Sequence, residues 1–518
     1  MKDLVVGIDS STSATKAIAW DRTGTPVAEG RAPIPLATPR PDWFEQDPLD
    51  WWRSTATALR QLTARVDAAR IAGFAISNQR ETFGLFTAAG EALRPGITWL
   101  DSRAAAQVRR FGERFGAARV HAITGRPLDL SPCLYPLLWL AEHEAAALRQ
   151  ADRVADVHGY LCFRLTGRWV TSTASADPMG LLDMRRMDWS EEVLRAAGLP
   201  REKLLALAPP ATRLGEVTAT AAAATGLAAG TPLFAGGGDG QCAGTGVDVL
   251  QPGRAYVNLG TAVVSGMYSG RYSHDRAFRT ETAIAERGYI CETSLRSGTF
   301  LLDWLTREML GIPPARRAAA LATLENEAAA SPVGAGGVVV LPYWQGSMTP
   351  HWDGAARGVI AGLSGSTRRG DLFRALLEGI ALDVAHTSAR LAAANATGID
   401  HFVAIGGGAA SDLWLGILAD ATGRPVLRST TAEASSLGAA MAAAAGAAWY
   451  GSVAAAASAM ASPVLRRFLP DPAHVALYAR LQAIHAELWP KLSAWNRTLR
   501  AFAEGRPQAD EAAAPEAR

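Results

Sequence analysis

The sequence predicts an α/β protein built from two similar units, on three observations. Short β-type apolar runs ending in glycine- or hydroxyl-rich loops alternate with helical patterns. The same order of features begins again at Thr231. The 518 residues, at roughly 150 per domain, suffice for two to four cores.

Residues 4–8 and 17–20 read as the strands of a hairpin around a polar loop, Asp9 to Thr15, followed by a D-R-T-G turn. Strands are expected at 71–77 and 83–86, and helices at 49–66 and 103–115. In the second run, 231–235 is a strand feeding a glycine cluster. Residues 255–259 and 263–268 form another hairpin, whose loop N-L-G-T-A stands where the first has I-D-S-S-T. Strand 401–405, the glycine turn Gly406–Gly408 and helix 411–422 then give an arrangement in which backbone N–H groups can face an anion. Residues 435–462 run 28 positions without a charge, long enough for a bilayer of about 30 Å. Their Ala, Gly and Ser content suits a tightly packed, buried helix pair instead. Residues 505–518, rich in Ala, Glu and Pro, read as a disordered tail.

Charge excludes some functions. With 51 Lys+Arg against 49 Asp+Glu, the net charge of +2 gives no global field to draw the chain onto nucleic acid or a membrane surface. Four scattered cysteines, without C-x-x-C spacing, argue against a disulfide framework or zinc site and fit a reducing compartment. The N-terminal apolar run is too short for a signal-peptide core, so the expected location is cytoplasmic.

Neither G-x-x-x-x-G-K-[ST] nor a G-x-G-x-x-G after the first strand occurs, so the P-loop and Rossmann nucleotide sites are unsupported. Two hairpin loops, Ser10–Ser13 and Leu259–Ala262, can aim amide and hydroxyl donors at phosphate, or simply turn the chain. Asp9 closes a buried strand, where a carboxylate needs a partner: magnesium beside phosphates, or its own loop amides. Asp239, in G-G-G-D-G-Q after an apolar strand, is placed either to accept a hydroxyl proton during phosphoryl transfer or to cap a helix. Arg80 and Glu81, in the polar island N-Q-R-E-T, offer a donor fork and an acceptor for vicinal hydroxyls, or a strand-end ion pair. Trp99 would give a sugar its apolar platform, or belong to the core.

These pieces, in this order, resemble the FGGY family of carbohydrate kinases from about residue 4 to about residue 490. The most specific match is G-V-I-A-G-L, seven residues, then D-L-F-R-A-L-L-E, from Gly358 to Glu378. W-F-E-Q-D-P at 43–48, N-Q-R-E-T at 78–82, T-P-H-W-D at 349–353 and G-G-G-A-A-S-D-L-W at 406–414 support it. The resemblance implies two actin-like, ribonuclease H-like ATPase domains flanking a catalytic cleft. An N-terminal domain, 1–246, would hold the sugar and the base, and a C-terminal domain, 247–490, the ATP. It implies Asp239 as catalytic base and substrate contact, and Asp9 with Asp239 as carboxylates for Mg2+. Arg80, Glu81 and Trp99 become further substrate contacts, and Thr12, Ser13, Lys16, Gly260, Thr261, Gly407, Gly408 and Asp412 the ATP site.

Departures point to the acceptor. N-Q-R-E-T is the glycerol kinase form, yet Ser131 stands where glycerol kinases carry a Tyr, and Gly240 where they carry Gln. Ser11 replaces a usual Gly of the first loop, and Pro136 and Cys133 degrade the N-terminal signature. Both cleft replacements remove side-chain volume, so a sugar or polyol of four to five carbons is expected. A pentulose such as xylulose comes first and glycerol or a tetritol second. The non-enzyme alternatives are an actin-like nucleotide switch and a sugar sensor. The partners expected are sugar and ATP, with no nucleic acid and no membrane, and a homodimer is compatible.

Overall fold

In the computed structural model, which describes residues 2–503, two mixed β-sheets form the framework. The expected tail at 505–518 lies outside the described residues. The first sheet has the spatial order Pro26–Pro33, Ala14–Trp20, Leu4–Ser10, Ile71–Asn78, Pro232–Gly238, Arg213–Glu216. Its first two joins are antiparallel, the next two parallel and the last antiparallel. The second sheet runs Arg279–Thr282, Tyr289–Leu295, Val263–Ser269, Arg254–Leu259, His401–Ile405, Val426–Ser429, Val464–Phe468. From Tyr289–Leu295 onward its joins repeat the pattern of the first sheet. The similarity of the two hairpins is thus a repeat of topology.

Side-chain alternation makes each sheet two-faced. In the first strand Leu4, Val6 and Ile8 enter an outer core with Trp51 and Leu59 of the helix Pro48–Thr63. Val5 points the other way, into a core shared by both sheets. In the second sheet Val257, Leu259 and Phe402 face outward against the helices Arg369–Asn395 and Asp412–Thr422, while Tyr256, Val403 and Ile405 face inward.

The inner layer is a pair of small-residue helices, Asp239–Gly246 and Ala434–Gly446, packed on each other and on the first sheet. The uncharged segment accordingly forms a buried helix, Ala434–Gly446, and a half-buried one, Val453–Met460. Among the described residues no helix is long and apolar enough to cross a membrane. Contact is close enough that glycine is obligatory. A Cβ at Gly7 would lie 1.8 Å from the Ser436 carbonyl oxygen, and one at Gly438 1.9 Å from that of Cys242. Gly7→Ala must push helix from strand, and is expected to cost about 3 kcal/mol, the upper end of ordinary overpacking. A lowered urea midpoint checks it.

Three expectations shift. The strand expected to open the second run at Thr231 is Pro232–Gly238 of the first sheet, paired with Ile71–Asn78, so the second unit's strands begin at Arg254. Strand Phe83–Phe86 belongs to a separate four-stranded sheet with Glu45–Gln46, Gly96–Ile97 and Arg153–Asp156, because the polar island before it turns the chain out of the main sheet. The helix expected at 103–115 runs over Ala105–Phe111, widens over Gly112–Gly116, and ends at Gly116 with φ +97°. All four cysteines are buried and free.

Candidate active site

Three neighbouring parallel strands of the first sheet end together. In register, Asp9 lies beside Ser77, Ser10 beside Asn78, and these beside Gly237 and Gly238. Asp239 follows as the first residue of its helix, with Gly238 at the cap position. The carboxyl edge of parallel strands is where open α/β sheets place ligands.

The Asp239 carboxylate is 40% exposed. Its Oδ1 accepts the Gly240 N–H at 2.8 Å and lies 3.0 Å from Arg80 Nε. Among the described residues none donates to Oδ2. Desolvation by the cleft walls raises its pKa, with Arg80 and the Gly240 amide pulling the other way.

Arg80 is enclosed rather than open, 8% exposed, as is Glu81. Arg80 Nη1 donates to Glu281 Oε2 at 2.5 Å and to Glu292 at 3.1 and 3.2 Å. Glu81 holds the left-handed φ of 52°, a conformation that persists in a non-glycine residue only when its surroundings enforce it. Its Oε1 accepts from Arg126 Nη1 at 2.7 Å and Arg279 Nη1 at 3.3 Å. Burial alone would raise the Glu292 pKa, but the Arg279 and Arg80 guanidiniums outweigh it and hold the carboxyl at about 2.

Asp9 accepts the Ser77 hydroxyl at 3.1 Å. Desolvation, then repulsion from Asp239, push its pKa from 3.8 to about 7. Its cross-strand neighbour Lys16 is ion-paired to Glu433 at 2.6 Å, tying the first hairpin to the start of the helix Ala434–Gly446. Thr12 and Ser13 form the hairpin turn, and Thr12 Oγ1 accepts the Trp99 indole N–H at 2.9 Å. Trp99 is 40% exposed and so lies at the surface beside the first hairpin turn rather than in the core.

The second sheet repeats this edge. Asn258 pairs with Ile405, so the turn Gly260–Ala262 and the turn beginning at Gly406 emerge side by side. Gly407 faces open space. Gly408 is a packing residue, since a Cβ there would lie 2.5 Å from the Trp414 ring. The helix starts at Asp412, its Trp414 N–H capped by Ser411 Oγ at 3.0 Å. Asp412 itself pairs with Arg428 at 2.5 Å and with Arg466. The first sheet therefore gathers Asp9, Thr12, Ser13, Lys16, Arg80, Glu81 and Asp239, Trp99 joins them from the four-stranded sheet through its bond to Thr12, and the second sheet gathers Gly260, Thr261, Gly407, Gly408 and Asp412.

Residues 4–246 match the N-terminal domain of the FGGY family of carbohydrate kinases, and residues 255–447 its C-terminal domain. The chain belongs to this family. It is 30% identical over 508 residues to a xylulose kinase from Bacillus subtilis (strain 168), covering 96% of this chain and 99% of that one. To a glycerol kinase from Methylorubrum extorquens (strain PA1) it is 32% identical over 462 residues, covering 86% and 89%. The crystal structure of a xylulose kinase from Rhodospirillum rubrum superposes with a TM-score of 0.88 at 29% identity, covering 95% and 99%. The protein is thus a two-domain FGGY kinase, an ATP-dependent sugar phosphotransferase.

Within this kinase one expectation about the cleft is corrected. Gly240 opens no room for substrate, because a Cβ there would already lie 2.6 Å from Glu292 Oε2 and 2.9 Å from Arg80 Nη2. The volume is filled by the ion cluster. At Ser131 a recess of about 10 Å³, room for about one water, is bordered by Arg126, Asp129, Arg279 and Trp352. Sequence reasoning missed Arg126, Arg279, Glu281 and Glu292. The available signal was a charged residue inside an otherwise buried strand, Glu292 in Y-I-C-E-T-S-L, and R-T-E-T, buried at all four positions.

Proposed function

We propose that this kinase transfers the γ-phosphoryl group of ATP to a terminal hydroxyl of a four- or five-carbon ketose or polyol, a pentulose such as xylulose first. The observation that carries this is Asp239, a carboxylate whose Oδ2 is free among the described residues, at the carboxyl edge of three parallel strands, and the pentulose is preferred because small Ser131 stands where glycerol kinases carry a Tyr. Relatives named xylulose kinase, matching nearly end to end, support it. Glycerol or a tetritol is the second reading, favoured by N-Q-R-E-T and by the filled space at Gly240.

In this reading the sugar rests on Trp99, while Arg80 and Glu81, expected to grip its hydroxyls, are instead enclosed and held by Glu281, Glu292, Arg126 and Arg279. Asp239 Oδ2 takes the proton of the terminal hydroxyl as that oxygen attacks the γ-phosphorus. Thr12, Ser13, Gly260 and Thr261 face the phosphates from the two hairpin turns and Lys16 from the strand that follows the first turn, with Gly407, Gly408 and Asp412 near the adenosine. Asp9 and Asp239 suit Mg2+, since both are hard oxygen donors and Asp9, raised to about 7 by desolvation and then by repulsion from Asp239, would be relieved by a cation. That ion, when bound, would neutralise phosphate charge.

The test is kcat/KM with ATP for glycerol, erythritol, xylulose, ribulose, ribitol and gluconate. A preference for glycerol overturns the substrate assignment. Ser131→Tyr should fill the recess and shift the xylulose-to-glycerol ratio toward glycerol by about tenfold or more, the scale of a pocket-volume change. An unchanged ratio means that the recess does not read the substrate.

A further inference from the structure

We propose that Glu281 and Glu292 are positioning residues that fix the Arg80 guanidinium against Asp239, so that the alignment of the base depends on the second sheet being docked on the first. The inference rests on Asp239 as the base and adds residues outside the substrate and nucleotide contacts.

Arg80 follows strand Ile71–Asn78 of the first sheet, while Glu281 and Glu292 lie on Arg279–Thr282 and Tyr289–Leu295 of the second. Both glutamates are fully buried. The guanidinium is used as a fork: Nε toward Asp239 at 3.0 Å, and Nη1 toward Glu281 at 2.5 Å and Glu292 at 3.1 Å. An arginine held only by a 40% exposed carboxylate keeps its rotamer freedom, whereas one clamped at its other end does not.

The clamp is itself braced. Glu292 accepts from Tyr256 OH at 2.8 Å and from Arg279 Nε and Nη2 at 2.8 and 2.5 Å. Glu281 Oε1 accepts from Arg126 Nη2 at 2.8 Å. The glycines flanking Asp239 complete the fit. A Cβ at Gly238 would lie 2.6 Å from Arg80 Cδ and Cγ, and one at Gly240 2.9 Å from Arg80 Nη2. The glycine-rich stretch around the base thus makes room for an arginine that the other sheet holds in place. Domain docking then aligns the base as well as closing the cleft.

Glu292→Gln keeps the shape and an acceptor for Tyr256 but removes the charge on Arg80. The expected result is a kcat lower by about 10- to 100-fold, the scale of a small misplacement of a reacting group. KM for sugar and ATP should stay within about threefold, and Glu292→Asp should recover part of the loss. Glu281→Gln should act in the same direction. Tyr256→Phe, which takes one donor from Glu292, gives a milder loss in a variant that need not disturb folding. Circular dichroism and ADP affinity establish that each variant is folded. Unchanged kcat in these variants while Asp239→Ala is inactive overturns the positioning role and leaves the base intact. A loss confined to KM, or equal losses in Glu292→Asp and Glu292→Gln, also overturns it. An active Asp239→Ala instead removes the base assignment itself.

Discussion

Asp239→Ala is expected to lower kcat by roughly 10²- to 10⁴-fold, the ordinary contribution of a general base, while ADP binds with wild-type affinity. Asp239 stands at the exposed end of the ion cluster, and Arg80 keeps Glu281 and Glu292 as partners when it is removed. The fold should therefore survive the substitution, and the loss should be one of chemistry. Single-turnover phosphoryl transfer and calorimetric ADP binding on the same preparation separate the two. A variant retaining more than about a tenth of the turnover would exclude proton acceptance by this residue, given that range.

Asp9→Asn should combine two effects of opposite sign. On the proposed role of Asp9 beside Mg2+ and the phosphates, losing its carboxylate should reduce kcat by about 10²-fold or more, as for other pre-organised charge-stabilising groups, and raise the Mg2+ concentration needed for half-maximal rate. Stability should move the other way. The folded pKa of Asp9 is about 7 against an ordinary 3.8, so between those values the folded chain holds a proton that the unfolded chain has released. Its contribution to stability therefore falls as pH rises through that window and is least favourable above 7. Asp9→Asn removes this cost. Thermal unfolding should occur at higher temperature than wild type at pH 8 and at nearly the same temperature near pH 4. A variant less stable at pH 8 would show that Asp9 is held by favourable partners rather than strained by burial.

Much of this architecture was legible because glycine clusters and polar loops punctuate apolar runs. The ends of Leu4–Ser10, Pro232–Gly238 and His401–Ile405 carry Asp9, Asp239 and the Gly406–Gly408 turn, all found from local pattern alone. The ion cluster was not legible because its partners are far apart in the chain. Arg80 meets Glu281 across 201 positions and Glu292 across 212. Gly240 shows the same limit from the other side. A missing side chain reads as space, but whether space exists is decided by Glu292 and Arg80, which arrive from elsewhere. The segment most diagnostic of the family, 358–378, holds a buried ion pair. Within it Arg374 and Glu378 are joined at 2.7 Å, and both meet the Tyr478 hydroxyl. Family signatures of this kind record packing as much as chemistry.

The helix Ala434–Gly446 sets an order on biogenesis. Every strand of the six-stranded sheet has been synthesised once residue 238 leaves the ribosome. The face of that sheet carrying Val5 and Gly7 stays uncovered until residues 434–446 follow. A translating ribosome therefore carries a nearly finished half with an apolar face open for about two hundred further residues, and domain-by-domain maturation is interrupted at that point. Fragments ending near residue 246 should expose this face and aggregate, and the nascent chain needs protection over the same interval.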